Sequence, residues 1–199
     1  MGGQRAQVPR RRSRARERVV TEVFAALDLL PRAAFLGSVL RSAYGGDEAR
    51  AAAAAGAEEA RVDVLPGGPD LYPGGPNIQP DAMLDMPGAT VLVEARRIRA
   101  GAFQPEQLTS GYLCLLRDFS RPTRLLLLIL PMPPPILVRG HGRLSINDAI
   151  LSRLPTVHAK AKAVGAPPID DLTTSIESAC ARITWGEMGL PPVRLTPCL

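Results

Sequence analysis

Residues 77–99, NIQPDAMLDMPGATVLVEARRIR, predict two short strands joined by a Pro-Gly turn, with one acidic residue on each strand. In a symmetric hairpin, Met86 lies opposite Ala89. The same register places Asp81 directly across from Glu94, and both side chains point to one face because side chains alternate along a strand. Two carboxylates at this distance repel each other. A divalent cation between them would turn the repulsion into ligation, so the hairpin predicts a metal site.

Each acid also has an ordinary interpretation when it is taken alone. Asp81 is then a residue at a strand end, and Glu94 is an edge residue in solvent. These separate interpretations do not explain the pair, because its neighbours on the same face are the apolar side chains Met83 and Leu92. Carboxylates among apolar side chains are costly unless a partner compensates them. The opposed pair therefore favours a site over two unrelated surface charges.

The basic character of the protein belongs to its N-terminus. The chain has 199 residues, a length typical of one domain with a sizeable core, and a formal charge of +5. Residues 1–16 contain six arginines and no acid; without those six, 18 basic residues remain against 19 acidic ones, so the body carries about −1. The basic segment is either a solubilising tail or a phosphate-binding one.

Cysteine usage and hydropathy predict a cytoplasmic protein that does not enter the membrane. Cys114, Cys180 and Cys198 are widely spaced and form no CxxC motif, which indicates neither a disulfide framework nor a zinc site. The N-terminus has no apolar stretch of the kind found in secretory signals. The longest apolar run, 125–130, is far too short to span a bilayer.

The order of predicted elements is that of a mixed α/β protein. Residues 1–13 are predicted to be a disordered basic tail, 14–188 a single domain, and 189–199 an irregular Pro-rich tail. The predicted helices are 14–30, 32–44, 47–60, 104–119, 145–164 with a break near Pro155, and 173–183; the predicted strands are 61–65, 78–86, 90–98, 124–130 and 136–138. Residues 66–77 contain PGGP twice and predict a long loop, which is typical of functional or disordered segments.

Pro80-Asp81 on one strand, followed by Glu94-Ala95-Arg96 on the next, resembles the PD-(D/E)XK nuclease superfamily, which has the restriction-endonuclease-like fold. The signature of that superfamily is Pro-Asp followed by acid-x-Lys on the neighbouring strand. Its αβββαβ core, a mixed central sheet flanked by helices, is similar to the predicted order over 14–131. The helices between 32 and 60 and those of the C-terminal part would be additions to that core.

The resemblance implies hydrolysis of phosphodiester bonds in DNA or RNA, with DNA favoured, assisted by Mg²⁺ or Mn²⁺. Asp81 and Glu94 would hold the metal together with the backbone carbonyl of Ala95. Members of the superfamily often have a further acid on the helix before the first strand, and Glu22 is preferred to Glu17 for that position. A homodimer is compatible with this interpretation.

Arg96 departs from the pattern, because the family has Lys at this position. Lys can lose its proton when its surroundings lower its pKa, whereas Arg stays protonated and presents a planar fork of donors. Arg96 suits stabilisation of a phosphate better than activation of water. The chain contains 22 Arg and only two Lys, so a general preference for Arg is one explanation. The other is a catalytically degenerate nuclease fold that binds nucleic acid or protein without cutting.

Two residues of the helix predicted at 104–119 extend the resemblance. Some families of the superfamily have a Gln and a Tyr on this helix that contact substrate or a metal-bound water, and Gln107 and Tyr112 are the candidates. Their spacing is one residue longer than the usual Gln-x-x-x-Tyr. Each has an alternative role, since Gln107 can cap the Gln104 amide and Tyr112 lies on the apolar stripe of the helix.

Overall fold

A computed structural model of the protein describes residues 22–67, 71, 78–96, 102–162 and 165–188. Its helices are α1, described over 22–29, α2 at Arg32–Ser42, α3 at Asp47–Ala55, α4 at Pro105–Asp118, α5 at Ile146–Leu151, α6 at Leu154–Ala161 and α7 at Ile169–Ala179, with a 3₁₀ turn at Ala57–Glu59. Its strands are β1 at Arg61–Val64, β2 at Ala82–Met86, β3 at Ala89–Ala95, β4 at Thr123–Leu130, β5 at Ile136–Val138, β6 at Gly142–Leu144 and β7 at Cys180–Thr184. The predictions for both tails and for most of the 66–77 loop lie outside the described residues.

The central sheet has five strands in the order β1-β2-β3-β4-β7. Strands β1, β2 and β3 pair antiparallel as a meander, whereas β4 runs parallel to both β3 and β7. A parallel neighbour needs a crossover, and α4 supplies it between β3 and β4. The sheet is therefore mixed and flanked by helices, which confirms the predicted α/β class. Strands β5 and β6 form a separate two-stranded ribbon.

Each face of the sheet has its own apolar core. The face covered by α4, α5, α6 and α7, called the α4 face below, includes Leu92 of β3 and the even-numbered leucines of β4. The opposite face, covered by α1, α2 and α3, includes Val91, Val93 and Ala95 of β3. Residues 125–130 are fully buried, half on each face, as predicted for a central strand with helices on both sides. No helix among the described residues combines the length and apolar character needed to cross a membrane.

The predicted register of the hairpin is confirmed. Met86 pairs with Ala89, and the ladder continues to Ala82 opposite Val93. The Pro-Gly turn keeps the connection at two residues, and alternation of buried apolar side chains holds the strands in this register because a slip of one residue would exchange the two faces. The ladder ends one pair before Asp81 and Glu94, at the point where Pro80 lacks an N–H to donate.

The C-terminal part differs from the prediction for 173–183. Helix α7 ends at Ala179, and Cys180 begins β7 without a Gly or Pro between the two elements. The strand forms because the outer edge of β4 is open there, and pairing satisfies the polar backbone of both segments. Strand β6 was also not predicted, because the Gly-rich sequence around 140–142 indicates only a turn.

Contacts between the N-terminal helices decide which of their side chains are buried. The apolar pattern of the sequence would place Phe35 of α2 inward, but this residue is 47% exposed. The buried stripe of α2 runs through Gly37, where an added Cβ would lie 3.4 Å from the Ala54 carbonyl oxygen, so close approach of α3 fixes which side is inward. Asp is a common N-cap residue, but Asp47 is instead the first residue of α3, and Gly46 precedes the helix in a left-handed conformation.

The turn end of the hairpin carries an ion pair with a predictable pH dependence. Arg121 donates to both Asp85 carboxylate oxygens, at 3.1 and 3.0 Å, and this lowers the pKa of Asp85 from its ordinary value of 3.8. A carboxyl group with a depressed folded-state pKa contributes stability above its unfolded pKa and loses it as the pH falls through the folded one. We expect Arg121→Gln to raise the pKa of Asp85, as followed by NMR titration of that carboxyl group.

The same variant should destabilise the protein at about pH 7 and much less at a pH below the lowered pKa of Asp85, where the carboxyl group is protonated in both proteins. Urea unfolding at the two pH values measures the difference. An equal loss of stability at both would mean that Arg121 acts through packing and not through the charge of Asp85.

Candidate metal and phosphate site

Asp81 and Glu94 lie at the same end of the β2–β3 hairpin, and both are buried, with 3% and 5% of their surface exposed. Glu94 is on β3 between Val93 and Ala95, which both point to the opposite face, so its side chain points to the α4 face. Asp81 precedes β2 by one residue, and its amide donates to the Val93 carbonyl at 2.9 Å. The structure thus brings the two predicted acids together at one strand end.

The Asp81 carboxylate is fixed by the backbone of the neighbouring strand. Its Oδ2 accepts a hydrogen bond of 2.8 Å from the Ala95 amide. The N–H and the C=O of one strand residue point to the same side, so the Ala95 carbonyl points toward the Asp81 side of β3. The Asp81 carboxylate and the Ala95 carbonyl therefore lie at the β2 side of β3, and Glu94 is the neighbouring residue on the same strand.

Arg96 follows directly and is held by its backbone and by its side chain. Its amide donates to the Ile129 carbonyl at 2.8 Å, which continues the parallel ladder with β4. Its guanidinium carbon lies 4.7 Å from the centroid of the Phe103 ring, a cation–π distance. Phe103 is buried in the core of the α4 face and bonds to Leu137 and Arg139 of the β5 segment. The stacked ring keeps Arg96 on the face to which Glu94 points.

Trp185 completes the end of β3 and was not predicted from the sequence. In the parallel ladder the Arg96 carbonyl would accept from residue 131, but Pro131 has no N–H. The indole Nε1 of Trp185 donates to that carbonyl instead, at 2.6 Å. A proline at the end of a buried parallel strand is the one sequence signal that a donor from elsewhere is needed.

A small capping box orients Trp185. The Thr184 amide donates to Glu187 Oε2 at 2.7 Å, and the Glu187 amide donates to the Thr184 hydroxyl at 3.2 Å. The hydrogen bond from the Thr184 amide is the main reason why the pKa of Glu187 is lowered. The box spans Trp185 and fixes the backbone from which the indole reaches Arg96.

The two predicted residues of α4 differ in position. Gln107 lies in the first turn of α4, the helix that covers the face to which Glu94 points, and is partly exposed. Tyr112 is fully buried, and its hydroxyl donates to the Leu172 carbonyl at 2.6 Å. Burial raises the pKa of Tyr112, so the ring stays neutral. Tyr112 therefore links α4 to α7 as a core residue, while Gln107 remains a candidate.

We expect Tyr112→Phe to lower the free energy of unfolding by about 1–3 kcal/mol, because the buried Leu172 carbonyl loses its donor. Tyr44→Phe is the matched control and should cost less, since Tyr44 is 53% exposed. Urea unfolding measures both. A nucleolytic role of Tyr112 would be indicated instead by a loss of cleavage in a variant of unchanged stability.

Glu22 is not joined to the acidic pair. It is exposed, and the neighbouring Phe24 of α1 packs into the core of the opposite face. Among the described residues, no three or more His, Cys, Asp or Glu side chains come together as a metal-binding group. Within the described part of the chain, the candidate donors at the hairpin are two carboxylates and a backbone carbonyl. Such hard oxygen ligands fit Mg²⁺ or Mn²⁺, which usually keep several water ligands beside one or two carboxylates.

No protein-family model matches the chain, and no similar protein was found among curated proteins or solved structures. The resemblance to the PD-(D/E)XK nucleases rests on the residues of the hairpin and on the order of the elements around it. Both are properties of this chain that direct experiments can test.

Proposed function

We propose that the protein is a metal-dependent nuclease of the PD-(D/E)XK type that hydrolyses phosphodiester bonds in nucleic acid, with DNA favoured over RNA. The observation that carries the proposal is that Asp81 and Glu94 are both buried at the same end of two adjacent strands. Hard oxygen ligands held close together on a rigid scaffold are what Mg²⁺ or Mn²⁺ requires, and two adjacent strands supply such a scaffold.

The topology supports the restriction-endonuclease-like fold in particular. A helical layer precedes the β1–β2–β3 meander, α4 then crosses over, and β4 runs parallel to β3. This order is similar to the αβββαβ core that the motif residues imply, with β7 added beyond β4. Asp81 lies directly before the second strand and Glu94 lies on the third, as the motif implies.

The chain's own groups have distinct roles in this proposal. Asp81, Glu94 and the Ala95 carbonyl hold the cation, and the Ala95 amide keeps the Asp81 carboxylate in place. Mg²⁺ or Mn²⁺ bound there would supply an activated water and neutralise charge on the phosphate. Arg96, backed by Phe103, offers its guanidinium donors to the phosphate oxygens. Gln107 at the start of α4 would contact the substrate.

The test is a cleavage assay on labelled single-stranded and duplex DNA and RNA, with Mg²⁺, with Mn²⁺ and with EDTA. Isothermal calorimetry measures binding of each metal to the same preparation. Cleavage that requires metal supports the proposal. Metal binding without cleavage of any substrate contradicts the catalytic part of it.

A second function is favoured by Arg96. An arginine stacked on Phe103 stays protonated, so it cannot take a proton from an attacking water. The protein would then be a degenerate nuclease fold that binds nucleic acid or a protein partner. Absence of Mg²⁺ and Mn²⁺ binding in calorimetry would favour this function over the first.

A further inference from the structure

A cavity of about 280 Å³ lies between the β2–β3 hairpin and the C-terminal end of α4. Its apolar walls are formed by Ile78, Pro80, Met83, Leu92 and Phe119. Met83 and Phe119 are partly exposed, so the cavity is reachable from solvent. Its volume falls just below the range of about 300–1,000 Å³ typical of sites for drug-sized ligands, and suits a smaller group.

The cavity lies close to the acidic pair, although neither acid lines it. Met83 and Leu92 face each other across the hairpin, two residues along each strand from Asp81 and Glu94. That step is about 7 Å along a strand, and side chains two residues apart share a face. Pro80, which precedes Asp81, lines the cavity as well. A group that occupies the cavity would therefore be next to whatever the two carboxylates hold.

One side of the cavity is polar. Asp118 lies there, and Arg117 donates to both oxygens of its carboxylate, from Nε to Oδ1 at 2.5 Å and from Nη2 to Oδ2 at 2.7 Å. The carboxylate also accepts from the Cys114 thiol at 3.3 Å. Burial raises the pKa of Cys114 to about 12, so the thiol stays protonated as a donor. A carboxylate has about four acceptor positions, and these contacts leave room for another N–H donor. The cavity thus combines apolar walls with an acceptor at its side.

We propose that this cavity takes an unpaired nucleobase of the strand whose phosphate lies at Asp81 and Glu94. A base is flat and apolar on its faces, and its Watson–Crick edge offers an N–H to Asp118 only when the base is unpaired. Single-stranded nucleic acid, or a base turned out of a duplex, is the substrate class that follows. This inference rests on the proposed nuclease function, since it places the phosphate at the acidic pair.

The test measures binding separately from cleavage. Fluorescence anisotropy compares a labelled single-stranded oligonucleotide, its duplex and an abasic strand of equal length, using Ca²⁺ in place of Mg²⁺ and, in a second arm, Asp81→Asn protein in EDTA. We expect the single strand to bind at least about 10-fold more tightly than the abasic strand or the duplex, because base–aromatic stacking is strong.

Two variants test whether the preference for the single strand arises from the cavity. Met83→Trp fills the cavity and Phe119→Ala removes its aromatic wall, and both should abolish most of the preference for the single strand. Met132→Trp, on a methionine that is 53% exposed and does not line the cavity, is the control and should retain the preference. Because Met83→Trp can disturb folding, circular dichroism accompanies it and Phe119→Ala provides the independent answer.

Equal binding of the three wild-type ligands would overturn the inference, as would a full preference in both cavity variants. If cleavage is metal-dependent but the affinity does not depend on the base, only the inferred base site is refuted. If binding depends on the base but no metal-dependent cleavage occurs, the proposed catalysis fails and the base site stands.

Discussion

Asp81→Asn is expected to lower metal-dependent cleavage by more than about 100-fold, because even residues that only support a metal ligand typically contribute 10–100-fold. The substitution is nearly isosteric, and the new amide oxygen can still accept from the Ala95 N–H that now bonds to the carboxylate. The charge is therefore removed while the strand end is retained. The measurement is the single-turnover rate with saturating Mg²⁺, at protein concentrations at which the substrate is fully bound.

Binding of the metal can be followed in the same protein. Trp185 is the only tryptophan of the chain, and its indole bonds to the carbonyl of Arg96, the residue after Ala95. We expect Mn²⁺ to change the fluorescence of the wild type and to require much higher concentrations in Asp81→Asn. A weaker fluorescence response together with slower cleavage assigns the loss to the metal and not to unfolding.

Asp85→Asn is the matched control. Asp85 is also on β2 and faces the same side as Met83, but it lies at the turn end of the hairpin and pairs with Arg121. Its neutralisation should leave the cleavage rate unchanged. Wild-type rates in Asp81→Asn would refute the role given to the acidic pair, and equal losses in both variants would indicate a general charge effect.

The parts of the fold that the sequence predicted are those set by local pattern. The register of β2 and β3 follows from a two-residue turn and from alternation, so the approach of Asp81 and Glu94 was predictable. The continuous apolar run at 125–130 predicts a strand buried on both faces, because it leaves no polar side to face solvent, and the structure buries all six residues. Helix α4 had its own signals, including Pro105 in the first turn.

What the sequence did not predict depends on contacts between distant segments. Strand β7 exists because β4 offers it an edge, and nothing within Cys180–Thr184 distinguishes the strand from the end of a helix. Trp185 contacts a carbonyl 89 residues away, which only the missing N–H of Pro131 hints at. Phe103 and Arg96 meet because the segment after β3 returns along β5. In each case the fold, and not the local sequence, determines which residues come into contact.

The role of Arg96 is the point at which the two candidate functions give opposite results. If Arg96 stabilises the phosphate, Arg96→Met should lower kcat about 100–1,000-fold, the usual effect of removing one donor aimed at developing charge. Metal affinity should stay near the wild-type value, because Arg96 is not part of the oxygen set. Arg96→Lys keeps the charge and restores the acid-x-Lys pattern, and it should cleave at least as fast as the wild type.

Arg143→Met removes the same charge from an exposed residue of β6 and should have no effect on kcat. If the protein is instead a degenerate nuclease fold, the wild type would not cleave. Arg96→Met would then leave cleavage unchanged, and Arg96→Lys would gain activity. Cleavage by Arg96→Lys, together with an inactive wild type, therefore identifies a binding protein that retains the site. A loss of activity in Arg96→Met from an active wild type identifies a nuclease that uses a guanidinium, held on Phe103, where the PD-(D/E)XK motif has an amine.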